Sequence, residues 1–357
     1  MRGQDWVRRM WRGEAGAGGR TARALLLPVE GLFRLGVALR ERRYRRGSPR
    51  IRNAPIPVIS VGNLSVGGTG KTPVASWVVD RLRAAGATPA LVARGYGEDE
   101  LLLHRRWTPG VEVVADPDRH AGVVAAASRG ATVAVLDDGF QHRRLGREAD
   151  VVLVAAEEGL PGPLLPRGPF REPGRALGRA QAVVVTRKEA SESRAREVAA
   201  QAAELAPGAV VARLWFRPGG VRPLGVAPVS AESPRGVPGA RPGEAPALLP
   251  PVGPVLVATG VARPESVVAA VQATGLEVGG VEPFPDHHDF TAADVERLIR
   301  LAGGRTVVVT EKDAVKLERL PAAAGADIRI LEQELVWEAG QEGVERLLAA
   351  ALGGAER

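Results

Sequence analysis

From residue 56 onward the chain alternates short β-rich runs with stretches of helical periodicity, and that alternation admits few folds. The runs are P-V-I-S-V (57–61), P-A-L-V-A (89–93), V-E-V-V-A (111–115), T-V-A-V-L (132–136), D-V-V-L-V (150–154) and A-V-V-V-T (182–186). Most are continuously apolar, as parallel strands covered on both faces must be. Within 73–85, Val74, Trp77, Val78, Arg81 and Leu82 recur at helical spacing. The expected architecture over 56–228 is a doubly wound, mostly parallel α/β sheet. Residues 229–254, dense in Pro and Gly, read as a linker. A second, smaller α/β unit is expected at 255–340, with a helix at 263–274 and another opening at Thr291 on a capping-box-like T-A-A-D. Residues 341–357 read as a C-terminal helix, and 1–55 as a separate N-terminal segment.

The first strand leads into S-V-G-G-T-G-K-T (65–72), and a helix follows. This context turns a near match to G-x-x-x-x-G-K-S/T into a phosphate-loop prediction, and makes the sheet that of a P-loop NTPase. The ATP-binding loop would be Ser65, Val66, Gly67, Gly68, Thr69, Gly70, Lys71 and Thr72, with the backbone N–H groups of residues 67–72 cradling the phosphates at the positive end of the helix. Lys71 would reach the β- and γ-phosphates, and the Thr72 hydroxyl would ligate Mg²⁺. Ser65 stands where the pattern has glycine, which is tolerable if its φ is negative.

Composition narrows the chemistry. The chain has no cysteine, which excludes disulfides, thiolate metal sites and cysteine nucleophiles. Only four of its 48 basic residues are lysine: Lys71, Lys188, Lys312 and Lys316. Three of them fall in G-K-T and T-E-K-D-A-V-K, which marks both stretches, since ammonium and guanidinium groups do different work. Arginines cluster at 34–52 directly after the apolar run A-L-L-L-P-V-E-G-L-F. That run is broken by Pro28 and Glu30 and is too short to span a bilayer. An amphipathic helix with a basic flank suits an anionic membrane surface; nucleic acid and a solvated helix face are the rival readings. Aromatic content of 4% leaves few stacking positions for single strands, so nucleic acid is not expected as a partner.

Four further stretches carry candidate chemistry. In L-D-D-G-F-Q-H-R-R, Asp137 and Asp138 end an apolar strand, as a Walker B carboxylate must, although such pairs also form simple turns. R-G-Y-G-E-D-E-L-L-L places Asp99 and Glu100 after a strand, as a general base for an alcohol or as a solvated acidic turn. L-L-P-R-G-P-F-R-E-P is an ordered loop in which Arg167 and Arg171 either bind phosphate or decorate the surface. F-P-D-H-H-D-F-T holds adjacent histidines, better suited to acid–base or phosphate contact than to one shared metal.

Together, and in order from about residue 24 to 317, these stretches resemble the tetraacyldisaccharide 4′-kinase family of lipid A biosynthesis in Gram-negative bacteria. The resemblance implies a lipid kinase at the cytoplasmic face of the inner membrane, peripheral or monotopic. It would carry the γ-phosphate of MgATP to the 4′-hydroxyl of a tetraacylated glucosamine disaccharide 1-phosphate. It implies Asp99 as the base, paired with His287, and Mg²⁺ at Thr72 and the Asp137–Asp138 pair. It also implies acceptor contacts from Arg119, Gln141, Arg171 and Glu172, and the family shares the serine seen at Ser65. The chain departs in a shorter stretch between R-G-Y-G and D-E-L-L-L, in a longer linker, and in residues 1–20, which match nothing in the family pattern. The alternative is a membrane-associated partitioning or switch ATPase, but those favour a lysine where this chain has Val66.

Overall fold

The computed structural model describes residues 2–95, 98–225, 251, 253–261, 263–286 and 288–353. Three helices come first: α1 (Arg2–Arg12), α2 (Gly16–Leu25) and α3 (Leu27–Arg45). The chain continues through β1 (Val58–Asn63), α4 (Lys71–Ala84), β2 (Pro89–Ala93), α5 (Glu98–Trp107), β3 (Glu112–Ala115) and α6 (Arg119–Ser128). Next come β4 (Val133–Asp137), β5 (Ala149–Ala155), β6 (Ala182–Arg187), α7 (Glu192–Leu205) and β7 (Val210–Pro223). The last part holds β8 (Val255–Thr259), α8 (Pro264–Ala273), β9 (Val278–Pro283), α9 (Ala292–Ala302), β10 (Val307–Thr310), α10 (Glu311–Leu317), β11 (Ile328–Ala339) and α11 (Gln341–Gly353). The expected linker, 229–254, lies almost wholly outside the described residues.

The described residues form two compact units. The larger draws on 2–96, 108–215 and 336–357, and the smaller on 97–107 and 216–335. The sequence predicts a linear division with breaks at 228 and 255 and a separate helix from 341; relative to chain order there is an exchange, with α5 grouped in the smaller unit and α11 in the larger. In the smaller unit α5 packs on α10, where Arg106 lies 3.3 Å from Glu311 and 2.6 Å from Glu318. In the larger unit α11 buries Val344 and Leu348, and the Trp337 ring, just before it, lies 4.6 Å from Trp77 of α4. Neither partner is adjacent in sequence, so spacing alone gave no sign of the exchange.

The larger unit's strands run in the order β3-β2-β4-β1-β5-β6-β7, every pair parallel. Every residue of β1, β2, β4 and β5 is buried, which is why these strands read as unbroken apolar runs. The winding reverses at β1, and Val61 of β1 stands in register with Asp137 of β4. The loops leaving these two neighbours therefore open at the crevice where such sheets bind ligands. In the smaller unit β11-β10-β8-β9 are likewise parallel, over a core that includes Phe284, Phe290, Leu298 and Ile330. The capping box expected at Thr291 forms fully with Asp294.

α3 is pinned on one side and bare on the other. Phe33 packs into the core shared by Leu164 and Phe140, while Leu25 at the end of α2 and Val29, Leu32, Leu35 and Leu39 of α3 are exposed. Among the described residues no helix is long and apolar enough to cross a membrane. Residues 2–25, which no motif covers, form helices; Met10 is buried, and the Trp11 indole N–H donates to the Pro166 carbonyl at 2.9 Å.

Gly62 of β1 sets how closely the D-D-G-F turn approaches the sheet. A Cβ there would lie 2.5 Å from the Phe140 Cβ and 2.8 Å from its backbone nitrogen. Gly62→Ala is expected to destabilise the protein by about 1–3 kcal/mol through overpacking, read as a lower denaturant midpoint. An unchanged midpoint would show that the turn has room to retreat.

Candidate active site

Residues 64–70 link β1 to α4 and take the shape the motif requires. Gly70 caps α4 in the left-handed region at φ 87°, and Gly67 has φ 149°, so both positions exclude a side chain at low cost. Ser65 is different: among the described non-glycine residues only Asp138 has positive φ. The serine thus sits in ordinary backbone, and the missing glycine costs the loop nothing. Ser65 is buried and bridges to Phe170, the Val66 N–H donates to the Pro169 carbonyl at 2.8 Å, and the Arg171 N–H donates to the Leu64 carbonyl at 2.7 Å. The L-P-R-G-P-F-R-E-P segment therefore braces the phosphate loop from one side. From below, Asn63 Nδ2 donates to Thr69 Oγ1 at 2.9 Å and Thr186 Oγ1 to the Thr69 carbonyl at 3.0 Å. The first turn of α4, with its unpaired N–H groups and positive dipole end, opens from this frame.

The two aspartates divide their tasks. Strand β4 ends at Asp137, which is buried and lies with Oδ2 3.4 Å from Thr72 Oγ1. Asp138 turns into the left-handed region at φ 53° and accepts a forked pair of hydrogen bonds from Arg171, 3.0 Å from Nη1 and 2.8 Å from Nη2. Lys71 Nζ lies 3.7 Å from the same carboxylate, and Arg171 also donates to Asn63 Oδ1. Burial would raise the Asp138 pKa, but the Arg171 hydrogen bonds and the Lys71 charge prevail and lower it to about 2. A non-glycine residue held in this backbone region stores on the order of 1 kcal/mol or more of strain, a cost that clusters at functional sites.

The remaining candidates are spread around this centre. Arg119 opens α6 and is buried; its guanidinium donates to the carbonyls of Asp116 at 2.8 Å and Asp137 at 3.3 Å. Burial lowers its pKa, against the opposing charges of Asp137 and Asp138. Gln141 Nε2 donates to the Asn63 carbonyl at 2.9 Å. Glu172 is 2% exposed and held between Arg40 of α3 and Arg179, each at 3.0 Å. Its carboxylate ties α3 to this segment, a role its sequence context did not reveal.

Asp99 lies in the first turn of α5; its side chain and the whole of His287 are outside the described residues. The neighbouring His288 is committed to structure. Its ring stacks on Phe284 at 4.8 Å, meets Phe290 edge-on at 5.0 Å, and places Nε2 3.1 Å from Asp294 Oδ2. Two of the four lysines hold the same loop: Lys312 Nζ lies 3.3 Å from Asp286 Oδ1, and Lys316 Nζ donates to the His288 carbonyl at 3.0 Å. This gives the T-E-K-D-A-V-K stretch its purpose. Asp313 completes it, accepting from Thr259 Oγ1, Thr310 Oγ1 and the Gly260 N–H.

Three residues at the loop had no role assigned from the sequence. Asn63 joins Thr69 to Arg171, and its signal was a polar residue ending an apolar strand. Glu158 lies against Ser65, its pKa raised by burial and by Glu157 despite the Ser65 hydrogen bond. Lys188, the remaining lysine, follows β6 and brings Nζ within 3.8 Å of where a Cβ on Gly68 would stand.

Comparison with known proteins decides the family. The model of the tetraacyldisaccharide-1-P 4′-kinase family matches residues 22–100 and 97–353. This chain belongs to that family. Similar curated proteins include the tetraacyldisaccharide 4′-kinase of Anaeromyxobacter sp. (strain K), 37% identical over 97% of this chain and 95% of that protein. The enzyme of that name from Halorhodospira halophila is also 37% identical, over 85% and 86% of the two chains. Among solved structures, LpxK from Aquifex aeolicus in complex with ATP aligns with TM-score 0.71 and 26% identity, covering 93% of this chain and 99% of that one. The α/β P-loop core and the assignment as a kinase follow from these matches. The first 21 residues lie outside the family match.

The depressed Asp138 pKa fixes a pH dependence. A carboxylate whose folded pKa is about 2, below its unfolded value of about 3.9, stabilises the fold above the unfolded pKa and loses that contribution as pH falls through the folded one. Wild type and Asp138→Asn should therefore differ in stability by a constant amount from neutral pH down to about 4, and converge between about 4 and 2. A difference already lost near pH 6 would place the carboxylate elsewhere.

Proposed function

We propose that this kinase transfers the γ-phosphate of ATP to the 4′-hydroxyl of a tetraacylated glucosamine disaccharide 1-phosphate, the step that yields lipid IVA in lipid A synthesis. The observation that carries the reading is the braced phosphate loop with Lys71 and Arg171 gathered at its mouth by Asp138. The loop's N–H groups and the dipole of α4 hold the phosphates, and Lys71 and Arg171 supply positive charge where the transferring group becomes more negative. Phosphoryl transfer asks for little covalent chemistry from the protein, so this preorganised charge supplies most of the catalysis.

The donor set beside the loop fits Mg²⁺. Thr72 Oγ1 and the buried Asp137 Oδ2 are two hard oxygens at the end of β4, and magnesium sites use one or two carboxylates together with substrate phosphates. When bound, Mg²⁺ would neutralise charge on the β- and γ-phosphate oxygens. Thr72 and Asp137 would hold it, while Asp138 organises the cations. Asp99 takes the proton of the acceptor hydroxyl, and His287 polarises that base. Arg119, held on the Asp137 carbonyl at the end of β4, and Gln141, held on the Asn63 carbonyl, meet the acceptor together with Arg171 and Glu172.

The acceptor is a lipid, and α3 suits its surface. The exposed leucines of α2 and α3 form an apolar face, and Arg42, Arg43 and Arg45 close the helix with positive charge toward anionic headgroups. We place the enzyme peripherally at the cytoplasmic face of the inner membrane. The partitioning-ATPase reading has nothing to favour it, since an exposed Val66 stands where those proteins carry a lysine.

The test is transfer of labelled γ-phosphate from ATP to the tetraacyl disaccharide 1-phosphate. Protein that hydrolyses ATP yet never labels the disaccharide would end this reading. Lys71→Ala should lower kcat about 10²–10³-fold with the fold retained, and Asp99→Asn about 10²–10⁴-fold. Full activity in Asp99→Asn would remove the base assignment while leaving the substrate assignment intact.

A further inference from the structure

Two adjoining cavities of about 260 and 310 Å³ form a groove between α3 and the 161–175 segment. Arg34 and Pro173 line both; Leu35 and Arg175 complete the first, and Arg23 and Arg167 the second. Four arginines thus line a groove whose other walls are aliphatic, glycine or proline. The carboxylate against them is Glu30, 2% exposed, which Arg34 Nη2 approaches at 2.7 Å and Arg167 Nη1 at 2.9 Å, while the Leu164 N–H donates to it at 2.9 Å. Among the described residues, Arg23 and Arg175 have no carboxylate against them. One buried anion among four cations leaves the groove positive; Leu35, which lines it, is exposed, and so are Leu25 of α2 and Leu32 of α3.

We propose that this groove binds the phosphate of an anionic phospholipid, separately from the acceptor, so that the enzyme docks on negatively charged bilayer and not on any apolar surface. The inference rests on the membrane-docking reading above. Guanidinium forks match phosphate oxygens in shape and charge. Leucines alongside enter the acyl boundary, which puts the groove at headgroup depth. Pro169 and Arg171 of the 161–175 segment bond to the phosphate loop, and buried Leu164 and Phe170 lie within that segment. No residue of the phosphate loop lines the groove, so a headgroup there leaves the nucleotide site open.

The experiment measures binding of the full-length protein to vesicles of phosphatidylcholine, alone and mixed with phosphatidylglycerol. It compares wild type, Arg23→Gln/Arg175→Gln, and Arg42→Gln/Arg43→Gln, which removes equal charge from α3 outside the groove. Wild type should prefer the mixed vesicles, and the groove variant should lose about tenfold or more of that preference, well beyond the control. Equal losses in the two variants would reduce the effect to diffuse charge and overturn the site. Wild type binding both vesicles alike would overturn the headgroup site but leave membrane docking standing; binding to neither would overturn docking as well. Two further arms separate other sources of phosphate. Loss of the preference on adding inorganic phosphate at constant ionic strength, with the salt-matched control unchanged, would assign the groove to free phosphate. An acceptor KM raised only in the groove variant, in micelles free of phospholipid, would assign it to the acceptor's own phosphate. Either result contradicts the proposal.

Discussion

The Asp138 carboxylate is the point on which the candidate site turns. It holds a guanidinium and an ammonium that would otherwise repel, 2.8 Å from Arg171 and 3.7 Å from Lys71. Its backbone is strained at φ 53° to do so, and the strain is sustained by the close packing of the turn on Gly62 and Phe140. Arg171 in turn belongs to the segment that braces the phosphate loop, so loop, turn and brace are joined through one anion. A site built this way carries its positive charge in place before any phosphate arrives, which is the condition for electrostatic stabilisation without reorganisation.

A second pair of buried carboxylates fixes the N-terminal helices to that frame. Glu30 lies within α3 and binds Arg167 and the Leu164 N–H, and Glu172 of the brace binds Arg40 of α3 and Arg179. Removing one partner of such a buried pair leaves an uncompensated charge. α3 is thereby held with Phe33 inward and its leucines outward, and the surface proposed to meet the membrane is attached to the segment that touches the phosphate loop.

Much of this was legible in the sequence because it depends on local rules. Continuous apolar runs gave the first six parallel strands to within a residue or two but not β7, β9 or β11, T-A-A-D gave a real capping box, and the glycines around Lys71 gave the loop with its helix. The negative φ required of Ser65 was a condition that the backbone meets. What escaped was long-range. Nothing in the spacing of α5 announces Arg106 against Glu311 and Glu318, and nothing in α11 announces Trp77 packing on Trp337 just before it. That one of Asp137 and Asp138 would face the metal and the other organise the loop was legible from a strand end, but which does which depends on where β4 stops. The motif around Glu172 does not reveal that Arg40 and Arg179 enclose it.

The most direct measurement is a double-mutant cycle between Asp138 and Arg171, using Asp138→Asn and Arg171→Gln and reading phosphoryl transfer to the disaccharide. If the two act as one unit, the second substitution should cost much less in the background of the first, with a coupling of about 0.5–3 kcal/mol in transition-state free energy. Losses that add within about 0.5 kcal/mol would mean that the pair does not shape the site, and would contradict the account.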